Sequence, residues 1–179
     1  ESNEAPQVER AFLSYFGTAS TKYYGIAAIN LPSFFDYESP DKLEELSGGT
    51  YCISATMLER VYLTFPGKWN QFYEHAYQQL RRGLPAHQEA PQDSSTGRHA
   101  ASSADSREMR FVQLYRQLRM ARLCSFLRQR EPDANVGHSI LIYRLSNSDV
   151  QRALEGPPVE LLPDCEPDVK KIIPIAPAK

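Results

Sequence analysis

The chain has 179 residues and a formal net charge of −2, which favours one domain with its own core and excludes a broadly basic nucleic-acid-binding protein. Hydrophobic residues make up 41% of the chain and charged residues 23%, which is typical of a globular domain rather than a disordered one. No apolar run in the sequence approaches the roughly 20 residues that a membrane-spanning helix needs.

The first part of the chain predicts two strands and a short helix. Residues 8–16 carry strand-forming side chains on both faces, which indicates a strand that is covered on both sides. Residues 24–30 predict a second, shorter strand. Residues 39–46 are typical of a helix, because Ser39 can cap it, a proline takes its first position and two glycines follow it.

The middle of the chain predicts a strand, a helix and a loop. Residues 50–57 are rich in aromatic and β-branched side chains and predict a strand. Residues 69–82 place their aromatic side chains on one side of a helix, which we expect Gly83 and Pro85 to end. Residues 85–105 have almost no apolar content above alanine, which predicts a flexible loop.

The last part predicts a long helix, a strand, a short helix and a tail. Residues 106–130 form the long helix, and residues 138–145 form a third strand after a turn. Asn147 or Ser148 can cap a last helix that ends at Glu155.

These elements alternate between strands and helices, which predicts the α/β class. We expect a single, mainly parallel or mixed sheet of three to five strands with helices packed against it, and parallel pairing of the three best-defined strands. The predicted domain spans residues 1–156, with the flexible loop at 85–105. Closely spaced prolines make residues 157–179 an extended tail.

Arginines are frequent in the long helix, and three of them follow one another at intervals of three residues. Arg116, Arg119 and Arg122 therefore form a slanting row on one side. An apolar seam that includes Tyr115 and Leu118 should face the sheet, which leaves the row partly or fully exposed as a positive stripe. Such a stripe is a solvated face or a contact for anionic lipid headgroups and carrier phosphates. RNA binding has little support, since no RNA-binding motif accompanies the row.

A candidate ligand site is expected where the parallel strands end, because ligands of open α/β sheets bind at the carboxyl ends of strands. Tyrosine combines an apolar ring with a hydroxyl group, which suits sugar stacking as well as the half-exposed edge of a core. A carbohydrate or lipid-linked ligand and simple roofing of the core are both open. The candidate residues at these strand ends are Tyr15, Gly17, Thr18, Tyr23, Tyr24, Ser54 and Thr56. His138 is a further candidate, because it starts the third strand and should lie at an end of the sheet, either as a ligand contact or as a hydrogen-bonded structural residue.

Signatures of known catalytic sites are absent from the sequence: it contains no GxGxxG, P-loop, HExxH or GxSxG motif. We therefore predict no catalytic residue, no metal site and no cofactor. Cys52 and Cys124 lie in apolar runs and are expected to be small buried residues, while Cys165 lies in the predicted tail. The pairing state of the three cysteines is left open.

Three segments together carry a resemblance to a known family. They are SYFGTASTKYYGI (14–26), GGTYCISATMLERVYL (48–63) and YRQLRMARLCSFLRQREPDANVGHSILIYRL (115–145). In this order they resemble the C-terminal soluble region of bacterial polytopic membrane glycosyltransferases that are related to the dolichyl-phosphate-mannose protein mannosyltransferases. The resemblance covers about half of the chain and excludes residues 85–105 and those after Glu155.

The resemblance implies a parent enzyme that transfers a sugar from a polyprenyl-phosphate carrier at the outer face of a bacterial membrane. This chain would be its non-catalytic extracytoplasmic domain and would shape the acceptor or carrier site. Its partners would be the membrane-embedded part of the same polypeptide and anionic lipid or lipid-linked sugar, with no nucleic acid. The alternative is a self-contained ligand-binding or protein-interaction module without glycosyl transfer.

Overall fold

The computed structural model describes residues 10–18, 21, 23–34, 43–88 and 101–163. Within these ranges the chain forms five strands and four helices. In chain order they are β1 (Ala11–Ser14), β2 (Ile29–Asn30), β3 (Gly49–Ser54), α1 (Ala55–Leu58), α2 (Gln71–Gln88), α3 (Ala101–Leu127), β4 (Ala134–Val136), β5 (Ile140–Leu145) and α4 (Asn147–Glu155).

The five strands form one mixed sheet in the order β2-β1-β3-β5-β4, which confirms the predicted α/β class and places the three predicted strands side by side. β1 is parallel to β2 and β3, as expected, but β5 is antiparallel to β3. The expectation of parallel pairing was wrong for β5. This strand is the second arm of a hairpin with β4, so it runs in the direction opposite to β4. β4 runs in the direction of β3, and the turn at Gly137 and His138, both with positive φ, reverses the chain.

Both long helices differ from their predicted limits. α2 does not end at Gly83 but continues past Pro85 to Gln88, and α3 begins at Ala101. The two ends of the loop predicted at 85–105 are therefore helical, and residues 89–100 lie outside the described part of the chain. The presence of a glycine inside α2 is explained by packing between the two helices. A β-carbon at Gly83 would lie 3.0 Å from the Phe111 ring on α3. Tertiary contact thus outweighs the low helix propensity of glycine.

The shorter elements also differ from expectation. Residues 43–47 are not helical, and the rest of the helix predicted at 39–46 lies outside the described residues. The second strand is limited to Ile29–Asn30, because a turn at residues 23–25 precedes it. The cap of α4 is Ser146 rather than Asn147 or Ser148, and it forms a capping box with Asp149.

The core has two parts, and α3 lies between them. On one side Met120, Leu123 and Leu127 pack against the sheet. On the other side Tyr115 and Leu118 pack against α2. The seam that was predicted to face the sheet therefore faces α2, because the helix is covered on two sides rather than one. Cys124 is buried and Cys52 is half-buried, and both are free thiols.

Residues 157–163, which we call the C-terminal strap, return from α4 to the start of α2. The N–H of Leu162 donates to the carbonyl of Trp69, and the N–H of Gln71 donates to the carbonyl of Leu162, each at 3.0 Å. This part of the predicted tail therefore contacts the core. Residues 164–179 lie outside the described residues.

Candidate functional site

Three separate segments meet at one end of the sheet, where β1 and β3 finish and β5 begins. The sheet register pairs Ser14 with Ile53 and Ser54 with Ile140. The N–H of Ala55 donates to the carbonyl of Ser139 at 2.8 Å. The segments that follow β1 and β3 thus adjoin the turn before β5. The structure brings the predicted residues of these segments to a common edge, which we call the carboxyl end of the sheet.

Ser54 is a structural member of this end. Its side chain is buried, and its hydroxyl oxygen accepts from the N–H of Phe16 at 3.1 Å and from the N–H of Met57 at 3.3 Å. It therefore caps α1 and ties the exit of β1 to the exit of β3. A second buried hydroxyl, that of Ser14, donates to the carbonyl of Pro32 at 2.6 Å. Both hydroxyl groups fix the backbone of the site and are already engaged.

The other predicted residues of this end line its surface. The Tyr15 ring lies over Gly17, where a β-carbon would be 2.7 Å from the ring, so a larger residue at this position would displace the ring. Thr18 is exposed, while Thr56 is half-buried in α1. His138 is exposed in the β4–β5 turn with a φ of 55°. These residues offer hydroxyl, ring and imidazole groups to a ligand.

Three aromatic side chains that we had not predicted as site residues form an exposed cluster, here called the aromatic trio: Phe16, Phe34 and Tyr62. Their ring centroids lie 5.1 Å (Phe16–Phe34), 5.5 Å (Phe16–Tyr62) and 5.6 Å (Phe34–Tyr62) apart. Between 42% and 59% of each side chain remains exposed. The sequence signal that could have found them is an aromatic residue at the end of the first predicted strand or a few positions after the second and the third.

Two predicted tyrosines form a second exposed pair. Tyr23 is 82% exposed and Tyr24 is 65% exposed, and their rings meet edge to face with centroids 5.0 Å apart. Neither ring roofs the core, so simple core roofing does not describe this pair.

The arginine row, unlike the two tyrosines, is buried. Arg116, Arg119 and Arg122 are only 1%, 8% and 1% exposed, so the expectation of a partly or fully exposed positive stripe was wrong. The reason is that the remaining side of α3 is covered by segments from elsewhere in the chain, which bring their own acids. No acid near the row in sequence predicts this arrangement.

Glu44 neutralises the first part of the row. Its carboxylate accepts a short hydrogen bond from Nε of Arg116 and lies 3.4 Å from Nη2 of Arg119, which also binds the Glu44 carbonyl. Arg116 additionally donates to the carbonyl of Asn30 at 3.2 Å. Burial lowers the pKa of Arg119, and the charge of Glu44 opposes that change. The two guanidinium groups thus fix residues 43–47 as an ordered non-helical segment.

Glu74 neutralises the third arginine. Nε of Arg122 lies 2.9 Å from its carboxylate, and the same guanidinium donates to the carbonyls of Ala153 and Gly156 at 2.8 and 2.7 Å. Burial acts to raise the pKa of Glu74, but hydrogen bonds from Arg122, Gln78 and Trp69 outweigh it, and the pKa lies below its usual range. Arg122 therefore joins α2 to α4, and the row holds the fold together instead of forming a lipid-binding surface.

Metal and membrane features are absent from the described part of the chain. No group of three or more histidine, cysteine, aspartate or glutamate residues there could hold a metal ion. No helix among the described residues is both long and apolar enough to cross a membrane.

Comparison of the chain with protein-family models, with curated proteins and with solved structures finds no match.

Proposed function

We propose that this chain is the non-catalytic extracytoplasmic domain of a membrane glycosyltransferase that uses a polyprenyl-phosphate sugar. In this proposal the carboxyl end of the sheet contacts the sugar of the carrier or the acceptor. The observation that carries the proposal is the location of the exposed aromatic side chains. In the described chain, three of the five exposed aromatic side chains, Phe16, Phe34 and Tyr62, cluster on the segments that follow β1, β2 and α1. The other two, Tyr23 and Tyr24, form a pair on the β1–β2 connection.

The position of the three motifs supports the resemblance on which the proposal rests. The first motif contains the end of β1 and the segment after it, the second contains β3 and α1, and the third contains β4 and β5. Segments that are far apart in sequence therefore supply adjacent strands and one common edge. A shared edge is the arrangement expected of residues that act together in binding.

The chemistry of the aromatic trio suits a sugar. An aromatic ring offers a flat apolar face, and Tyr62 adds a hydroxyl group. The sheet gives the trio a rigid base, because buried hydroxyl groups hold the segments that carry it. Binding sites on loops that are fixed by a regular scaffold are common in proteins. Among the described residues this end shows no acid–base pair, and we propose binding without catalysis.

Two measurements test this proposal. The coding sequence on the 5′ side of this chain should contain several apolar segments of about 20 residues each, and a soluble upstream domain would contradict the membrane assignment. In addition, titration of the labelled chain with citronellyl phosphate mannose and citronellyl phosphate glucose should shift amide NMR signals at the carboxyl end of the sheet. The double variant Phe34→Ala/Tyr62→Ala should lose these shifts.

Met109→Ala is the matched control, because Met109 is an exposed apolar residue on α3. The control should bind as the wild type does. The isolated chain should neither transfer nor hydrolyse the sugar. Turnover that a point change within the chain abolishes would contradict the non-catalytic role. Binding by the chain together with a soluble upstream domain would favour a self-contained ligand-binding module.

A further inference from the structure

The C-terminal strap places a carboxylate among buried positive groups. Oε2 of Glu160 lies 2.5 Å from Nη2 of Arg128 and accepts from the backbone N–H of Trp69 at 3.0 Å. The side chains of Arg128 and Glu160 are 8% and 9% exposed. The carboxylate is thus held by one charged and one neutral donor in a site that is closed to solvent.

A second buried cation lies close to this pair. Arg60 is fully buried, and its guanidinium donates to the carbonyls of Ala121 and Phe65 and lies over the Tyr73 ring. The pKa of Arg60 is lowered to about 10, chiefly by burial and in part by the charge of Arg128, while Cys124, Tyr73 and Glu160 act to raise it. Arg60 therefore remains protonated near neutral pH, and the carboxylate of Glu160, which pairs with Arg128, also acts on the charge of Arg60.

Unused donors remain in the same place. In the described structure the buried Nε atoms of Arg60 and Arg128 have no hydrogen-bond partner. An unsatisfied donor of a charged group is costly to bury. This region thus contains two guanidinium groups, and their Nε donors are both free. The one carboxylate described in this region, that of Glu160, balances only part of the positive charge and accepts from only some of the donors.

We propose that Arg128, Arg60 and the N–H of Trp69 form an oxyanion-binding site that the chain fills with its own Glu160. The strap is then a displaceable plug: when its carboxylate is withdrawn, a small external oxyanion takes its place. The ligand class follows from the donors, because guanidinium and backbone N–H groups are the usual partners of carboxylate and phosphate oxygens. This inference does not depend on the glycosyltransferase proposal, because it rests on the Arg128–Glu160 pair and the C-terminal strap rather than on the aromatic trio.

Chemical rescue of Glu160→Ala tests the proposal in the full chain. In sodium chloride this variant should melt at a lower temperature than the wild type, since two buried cations lose their counter-charge. Sodium formate and sodium phosphate at the same ionic strength should restore part of the loss, in a saturable manner, because a ligand that binds only the folded state stabilises it. Recovery in formate alone would indicate a site of carboxylate size, and recovery in both salts would indicate a general oxyanion site.

Three controls separate site binding from general salt effects. Wild type and Glu155→Ala should gain equally little from the change of salt, because Glu155 pairs with Arg81 at an exposed site. Adding Arg128→Met to Glu160→Ala should abolish the rescue. If Glu160→Ala does not fold in chloride, recovery of its circular dichroism signal in formate or phosphate replaces the melting temperature. An equal gain in variant and wild type, a wild-type melting temperature in chloride, or failure to fold in every salt would overturn the proposal.

Discussion

The arginine row of α3 and the carboxyl end of the sheet reverse the usual placement of side chains. Three arginines at helical spacing are buried, while the three rings of the aromatic trio remain exposed. Charged side chains are seldom fully buried unless they are paired, and here Glu44 and Glu74 supply the partners. Exposed aromatic clusters on a folded chain commonly mark surfaces that bind something. The comparison shows that the arginine row is paired inside the fold, whereas the aromatic trio is left in contact with solvent.

The largest expected effect concerns the arginine row. Replacing Arg122 with methionine removes its ion pair with Glu74. It also leaves the carbonyl of Ala153 in α4 and the carbonyl of Gly156 after α4 without the donor that Arg122 supplies. Breaking a buried ion pair on one side costs about 3–5 kcal/mol, and we expect a loss of this size in the free energy of unfolding from urea denaturation. Arg81→Met is the control, since its exposed pair with Glu155 should contribute less than about 1 kcal/mol. Similar losses in both variants would remove the distinction between buried and surface arginines.

A smaller loss is expected at the base of the aromatic end. Ser54→Ala removes the acceptor of two backbone N–H groups, and an unsatisfied buried donor costs about 1–3 kcal/mol. Urea denaturation should show this loss, and NMR should show altered signals for Phe16, whose N–H is one of the donors. Thr56→Ala provides a neighbouring control in α1. Unchanged Phe16 signals in the Ser54 variant would show that this hydroxyl does not fix the aromatic trio.

The pH dependence of stability tests the Arg122–Glu74 pair without disrupting packing. Because the folded-state pKa of Glu74 lies below its unfolded value, its contribution is fully present above the unfolded pKa and is lost as the pH falls through the folded pKa. The difference in unfolding free energy between wild type and Glu74→Gln should therefore shrink on acidification below the ordinary glutamate pKa. A difference that stays constant over this range would contradict the lowered pKa.

The smallest effect is expected at the most exposed ring. Tyr23→Ala should change the free energy of unfolding by no more than about 0.5 kcal/mol, as is usual for surface substitutions, because 82% of the Tyr23 side chain is already in solvent. Thermal or urea unfolding measures this directly. A loss above about 1 kcal/mol would show that this tyrosine roofs the core after all.

The difference between the two regions also explains what the sequence could predict. The strands at 11–14, 49–54 and 140–145 could be predicted from the sequence, because each is marked by a local run of strand-forming side chains. The burial of Arg116 does not, because its partner Glu44 lies 72 residues away. Neither does the direction of β5, which depends on a hairpin within residues that looked like a plain turn.

The sequence predicted only part of the candidate site, because some of its residues are brought together by the tertiary fold alone. Sequence order placed Gly17 and Ser54 at the carboxyl ends of their strands, and the register of β1 and β3 brings those ends together. His138 starts its strand and joins them only because β5 is antiparallel to β3, which was not predicted. The aromatic trio was missed because its members come from three loops whose mutual contacts depend on the tertiary fold.

One covalent-labelling measurement tests the central contrast most directly. The native chain is treated with phenylglyoxal for arginine and with tetranitromethane for tyrosine, and the modified peptides are identified by mass spectrometry. The account predicts modification of exposed Arg82, Arg110 and Arg152 and of Tyr23, Tyr24 and Tyr62, with protection of Arg116, Arg122, Tyr51 and Tyr77. Denatured protein, in which all of these residues should react, is the control. Modification of Arg116 and Arg122 in the native chain, or protection of Tyr23 and Tyr62, would contradict the account.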